Sequence, residues 1–213
     1  CKILDLEVPQ LYVRQNPVPN AYTFAMRGEQ PFIVIHTALI ELLTPAETQA
    51  VIAHELGHLK CEHSVYLTLA NLITMAAGQL PLGEVLAQNL QNQLMEWVRC
   101  AEFTCDRAAL LVAQDPRTVA SLLMKLCGGS PSLADQLNVD AFIEQARAYD
   151  ALGDDAIGDA LKQVRTQGLT HPVPVLRARE IDRWASSQDY FALVKSQPDQ
   201  YNSGSSKGGW RNW

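Results

Sequence analysis

The chain has 213 residues, enough for one domain with a substantial core. Apolar residues make up 47% of it, which excludes a predominantly disordered chain. A net charge of -6, with no run rich in lysine and arginine, argues against a nucleic-acid partner.

Cys1 is read as a trimmed start rather than as the lipidated first residue of a bacterial lipoprotein. Cys61, Cys100, Cys105 and Cys127 complete an odd set without a CxxC pair. That argues against a disulfide scaffold and mildly for a reducing compartment. Three short β-type runs follow, at Leu11–Val13, Ala21–Met26 and Phe32–Ile35, punctuated by Asn16-Pro17-Val18-Pro19-Asn20 and by Arg27-Gly28-Glu29-Gln30-Pro31. They predict a small antiparallel sheet. From Thr37 the pattern is helical. Thr44-Pro45-Ala46-Glu47 predicts a sharp helix start: Thr44 caps, Pro45 takes the first helical position and Glu47 closes a capping box.

That helix is predicted to run to about Lys60, and a second to span 64–78. Pro81 and Gly83 interrupt before a long helix over 84–113. Asp115-Pro116 starts another that reaches Cys127. Gly128-Gly129-Ser130-Pro131 reads as a loop, and further helices are expected near 139–151, 155–166 and 173–186. Residues 1–200 are expected to form one catalytic domain, and 201–213, rich in Gly and Ser, a flexible tail.

The first capped helix carries His54-Glu55-Leu56-Gly57-His58. Two histidines four residues apart project from one helical face and can bind one Zn²⁺. Glu55, one step round the helix, is placed to take a proton from water that zinc has acidified from a pKa near 16 to roughly 7. With five histidines in the chain, chance would produce HExxH in about 0.6% of such sequences. A catalytic zinc needs a third protein ligand and an open position. A histidine six residues past His58 is ruled out, because position 64 is Ser. Glu102, with Asp106 four residues on and apolar neighbours around both, is the preferred third ligand. Asp106 then accepts the free ring N–H of a ligating histidine. Glu96 competes but has no such Asp partner. His171, before Pro172, and Arg177 are candidates to hydrogen-bond the oxyanion, against a loop His with no role. His36 and His63 are given structural or surface roles.

These residues resemble the HtpX-type branch of gluzincin metallopeptidases, a group that includes the Ste-type CAAX prenyl proteases. The resemblance implies a zincin-like, mainly helical α+β catalytic domain with one Zn²⁺ held by His54, His58 and Glu102. Asn20-Ala21-Tyr22 matches the family's Asn-Ala-aromatic strand and is implied to pair with an extended polypeptide substrate. His171-Pro172 and Arg177 match its late His-Pro and Arg. Longer strings, among them YVRQNPVPNAYTF from Tyr12 and AHELGHLKCEH from Ala53, are similar to cyanobacterial and chloroplast members of the plastoglobule metallopeptidase type. That implies a cytoplasmic or membrane-associated setting, on the thylakoid side in a cyanobacterium or plastid. Many members carry membrane spans. Here Ser64 to Gly83 has the length and no charge but is diluted by polar residues, so a helical hairpin packed on the domain is preferred to insertion. The expected function is a zinc metalloendopeptidase acting in protein quality control. A latent peptidase-fold chaperone and a purely structural zinc site are the competing readings.

Overall fold

The computed structural model describes residues 1–25, 30–81, 83–148 and 172–200, with side chains described to residue 196. After a 3₁₀ turn at Lys2–Leu4, three strands form one sheet: β1 (Gln10–Arg14), β2 (Ala21–Phe24) and β3 (Phe32–His36). Their spatial order is β1-β3-β2. β3 runs antiparallel to β2, with Tyr22 opposite Val34, but parallel to β1, with Tyr12 opposite Val34. The sheet is therefore mixed, and the expected all-antiparallel arrangement is corrected. The reason lies in burial. Ile33, Val34, Ile35 and His36 are all buried, so Phe32–His36 takes the centre, where both strand edges are paired. The segment 15–20 then has to carry the chain from one edge of the sheet to the other. Tyr12 is half exposed, and β1 is exposed throughout. The turn expected at Arg27–Glu29 lies outside the described residues.

α1 (Thr37–Leu42) follows β3 directly, and α2 (Pro45–Lys60) starts as the capping signal predicts. The Thr44 hydroxyl accepts the Glu47 N–H at 3.3 Å, and the Glu47 carboxylate accepts the Thr44 N–H at 2.7 Å. Glu62, in the left-handed region at φ 53°, reverses the chain into α3 (His63–Gly78). α4 (Gly83–Ala113) returns alongside α3 as a hairpin and then crosses α2. Asp115 caps α5 (Pro116–Gly128) by accepting the Arg117 and Thr118 N–H groups at 3.0 and 3.1 Å. A 3₁₀ turn at Pro131–Gln136 leads to α6 (Val139–Ala148). α7 (Pro174–Ala185) and α8 (Gln188–Gln200) close the described chain. The helix expected at 155–166 and the tail at 201–213 lie outside the described residues, whereas α8 had no counterpart in the sequence reading.

One apolar core joins β3, α1, α2, α4, α5 and α7 through Ile35, Leu39, Ala50, Leu110, Leu123 and Ile181. Burying such side chains supplies about 1.5–3 kcal/mol each. α2 and α4 meet most closely at Gly57. A Cβ there would stand 3.0 Å from the Cys105 Cα and 3.1 Å from the Ala108 Cβ. The glycine between the motif residues thus lets α4 approach, and that approach brings Glu102 to the histidines.

Candidate metal centre

His54 and His58 lie one turn apart on α2, with ring centroids 5.1 Å apart. Facing them from α4 is Glu102, 2% exposed. One of its carboxylate oxygens is 3.5 Å from His54 Nε2 and the other 3.3 Å from His58 Nε2. Ligand atoms bonded at about 2.0–2.1 Å to one tetrahedral ion lie about 3.3–3.4 Å apart, close to each of these two histidine–carboxylate separations. Two neutral imidazoles and one carboxylate are also the right chemistry for Zn²⁺.

The other ring nitrogens face away from Glu102 and are engaged. His54 Nδ1 lies 3.1 Å from Asp106 Oδ1. Asp106 in turn accepts a fork from Arg177 on α7, from Nε at 2.7 Å and from a terminal nitrogen at 2.6 Å. The third guanidinium nitrogen stands 3.4 Å from Glu102. Burial alone would favour neutral Asp106, but Arg177 and His54 outweigh it and hold the carboxyl below its ordinary range. Burial likewise pulls His54 down, yet its hydrogen bonds to Asp106 and Glu102 push the ring up to about 9. Asp106 accepts the Nδ1–H of His54 and leaves Nε2 aimed at Glu102, where a bound cation would take the place of the proton on Nε2.

His58 has a similar backing group, which sequence reasoning missed. Its Nδ1 lies 3.0 Å from Nδ1 of His63, the first residue of α3. Burial and the adjacent His58 lower His63 to about 4, so it is a neutral imidazole that can accept the His58 N–H. Its only signal in the sequence was a histidine just past the end of the motif helix. His36, given a structural role, is buried with Nδ1 donating to the Val18 carbonyl at 2.9 Å.

Cys105 is a rival for the third position, since its Sγ and a nitrogen of each of His54 and His58 lie within 4.8 Å of one another. Two observations favour Glu102. Burial, and then the carboxylates of Glu102 and Asp106, push the Cys105 thiol well above its ordinary value, away from the thiolate a metal needs. Its Sγ also lies 3.6 Å from His63 Nδ1, on the side of His58 that faces away from Glu102. Glu96, the competitor weighed from the sequence, is exposed and lines neither cavity at the site.

Glu55 is buried beside His54, and both line two cavities of about 410 and 530 Å³ that also share Glu102, Asn20 and Ala21. Tyr22 joins the wall of the larger one. Asn20 and the start of β2 therefore line both cavities at the site. Because β2 is an edge strand, its outer side has no partner strand among the described residues. His171 lies outside the described residues, though Pro172 and Arg177 both line the smaller cavity.

The chain is similar in sequence to known proteins. The chain is 61% identical over 195 residues to the plastoglobule-localized metallopeptidase 48, chloroplastic, of Arabidopsis thaliana, covering 91% of this chain and 57% of that protein. It is 28% identical over 153 residues to protease HtpX homolog 2 of Methanosarcina mazei, covering 60% of this chain and 52% of the relative. With protease HtpX of Legionella pneumophila the identity is 26% over 193 residues, covering 78% and 66%. The chain thus spans little more than half the length of the first two relatives. No solved structure matches it. The family model named Peptidase family M48 matches residues 4–185, a span that runs from the 3₁₀ turn through α7 and takes in both helices of the metal centre, so the chain belongs to peptidase family M48.

Proposed function

We propose that this chain is a zinc-dependent metalloendopeptidase that cleaves internal bonds of polypeptides, with His54, His58 and Glu102 as the metal ligands. The observation that carries the reading is the meeting of both Nε2 atoms with the two oxygens of one buried carboxylate, at 3.5 and 3.3 Å. Membership of a peptidase family and relatives named metallopeptidase and protease support it.

When bound, zinc supplies the Lewis acid that polarises the scissile carbonyl and acidifies the attacking water. The remaining work falls to the protein. The outer edge of β2, at Asn20–Tyr22, aligns an extended substrate by main-chain hydrogen bonds. Glu55 takes the proton from the attacking water and passes it to the leaving amine. Asp106 orients His54, and Arg177 holds Asp106. With its donors turned to Asp106 and Glu102, Arg177 is a positioning residue, and the oxyanion role is left to His171. The proposal extends to setting: protein quality control on the thylakoid side of a cyanobacterium or plastid, in keeping with the chloroplastic relative.

Two variants test this reading. Glu55→Gln is expected to retain about one zinc per chain and to lose cleavage of casein by at least a thousandfold. His58→Ala is expected to lose both. Retained turnover in the Glu55→Gln protein would remove Glu55 as the base. A wild-type protein that purifies folded and metal-free would sink the metal assignment itself.

A further inference from the structure

The hairpin of α3 and α4 carries a second cavity, of about 650 Å³, beyond the metal centre. Tyr66, Leu69 and Ile73 line it from α3, and Leu90, Leu94 and Trp97 from α4. Each set has the spacing of one helical face, and two such faces on adjacent helices ordinarily close on each other. Here the α3 face stays open: Tyr66, Leu69 and Ile73 are each more than half exposed, while Leu94 of α4 is buried.

The cavity is continuous with the active site. His63 and Trp97 line both it and the 530 Å³ cavity that holds His54, Glu55, His58 and Glu102. Ring contacts mark the path: His58 to His63 at 5.1 Å, His63 to Trp97 at 5.5 Å and Trp97 to Tyr66 at 6.4 Å. Whatever lies across the metal centre on that side can continue past the His63 and Trp97 rings into the hairpin groove.

Charge decides between two occupants. From Ser64 to Met95 the sequence has one charged residue, Glu84, and no lysine or arginine. A helix that lies on a lipid surface combines its apolar face with cations for the headgroups; the first on α4 is Arg99, past Trp97, and none stands among the residues between Ser64 and Met95. A concave, uncharged groove that opens from the catalytic cleft suits an apolar stretch of chain instead.

We propose that the hairpin groove is an extended subsite that takes an apolar segment of the same polypeptide whose scissile bond lies at the metal centre. The protein thereby selects chains whose apolar segments are unfolded and exposed. The inference rests on the peptidase reading above and adds its substrate class.

The test separates the two. A fluorescein-labelled eight-residue peptide with a central Phe-Leu pair is compared with the same peptide carrying five further apolar residues at one end or at the other. Binding is measured by fluorescence anisotropy on the zinc-loaded Glu55→Gln protein, so no cleavage is required. One of the two extended peptides is expected to bind at least tenfold more tightly than the parent, since each buried apolar side chain contributes substantially. Adding Ile73→Lys is expected to bring that ratio to about one. Leu69→Lys, a second exposed position in the groove, checks the result, and circular dichroism confirms that each variant is folded. Equal affinities for all three peptides would overturn the inference. So would binding to phosphatidylcholine vesicles that Ile73→Lys abolishes while peptide length has no effect, because the face would then belong to lipid. Failure of the wild-type protein to cleave any of the peptides counts against the peptidase reading and leaves the binding comparison intact.

Discussion

At the scale of single residues, the centre depends on which side chains hold the metal and which hold the ligands. The pairing of Asp106 with Arg177 across 71 positions could not be read from spacing. By contrast, Glu102 and Asp106 share a face of α4 simply because they are four apart. Glu102→Gln and Cys105→Ala divide the two candidates for third ligand. The first is expected to lose zinc, and the second to keep it, when both are titrated against a chromophoric chelator. The reverse result would move the site to the thiol. Asp106→Asn keeps the shape but not the charge that faces Arg177 and His54. Its zinc affinity is expected to fall by about 10–100-fold, the usual effect of losing an outer-shell partner of a ligating histidine. An unchanged affinity would reduce Asp106 to a structural partner of Arg177.

At the scale of elements, the structure follows the sequence where one short stretch dictates geometry. Thr44-Pro45-Ala46-Glu47 specifies the start of α2 because every group that satisfies the first turn lies within four residues. α8 has a comparable local signal, the Ser187 hydroxyl that accepts the Tyr190 N–H at 3.2 Å, although its polar sequence hid it. The mixed sheet had no local signal: β1 meets β3 across 22 positions, and parallel pairing depends on what the core buries. Glu47 also shows what a cap can gain from its neighbours. Its buried carboxylate accepts from Ser121 at 2.6 Å and from Lys125 at 2.7 Å, tying α2 to α5. Burial works against its charge, but Lys125, Ser121 and the Thr44 N–H together lower it below its ordinary value of 4.5. A depressed carboxyl stabilises the fold at pH values above that ordinary value, and the contribution is lost as pH falls through the folded value. Glu47→Gln is therefore expected to cost about 2 kcal/mol in urea unfolding at pH 7. The gap from the wild type should close below pH 4.5. A gap independent of pH would mean that Glu47 acts by shape and hydrogen bonding alone.

At the scale of the whole molecule, the metal centre is a junction. α2 brings His54, Glu55 and His58, α4 brings Glu102 and Asp106, and α7 reaches both α4 carboxylates through Arg177. Without a cation, three buried carboxylates (Glu55, Glu102 and Asp106) and two imidazoles share a small volume with one guanidinium. In the proposed site a bound zinc would add positive charge where Glu102 faces both histidines and would clamp α2 to α4. If the native state binds the ion as proposed, and the unfolded chain lacks the assembled site, stability should rise with free zinc as RT ln(1 + [Zn]/Kd). At one hundred times Kd that is about 2.7 kcal/mol, or about 5–10 °C in Tm for a chain of this size. Chelation is expected to lower the Tm of the wild type by that amount without unfolding it at room temperature, since one apolar core joins α2 and α4 to β3, α1, α5 and α7 through contacts that do not involve the ion. His58→Ala should melt at one temperature with or without zinc. A wild-type Tm indifferent to zinc would show that the helices are held at this junction by the Asp106–Arg177 pair and the Gly57 contact alone, with the ion serving chemistry and not cohesion.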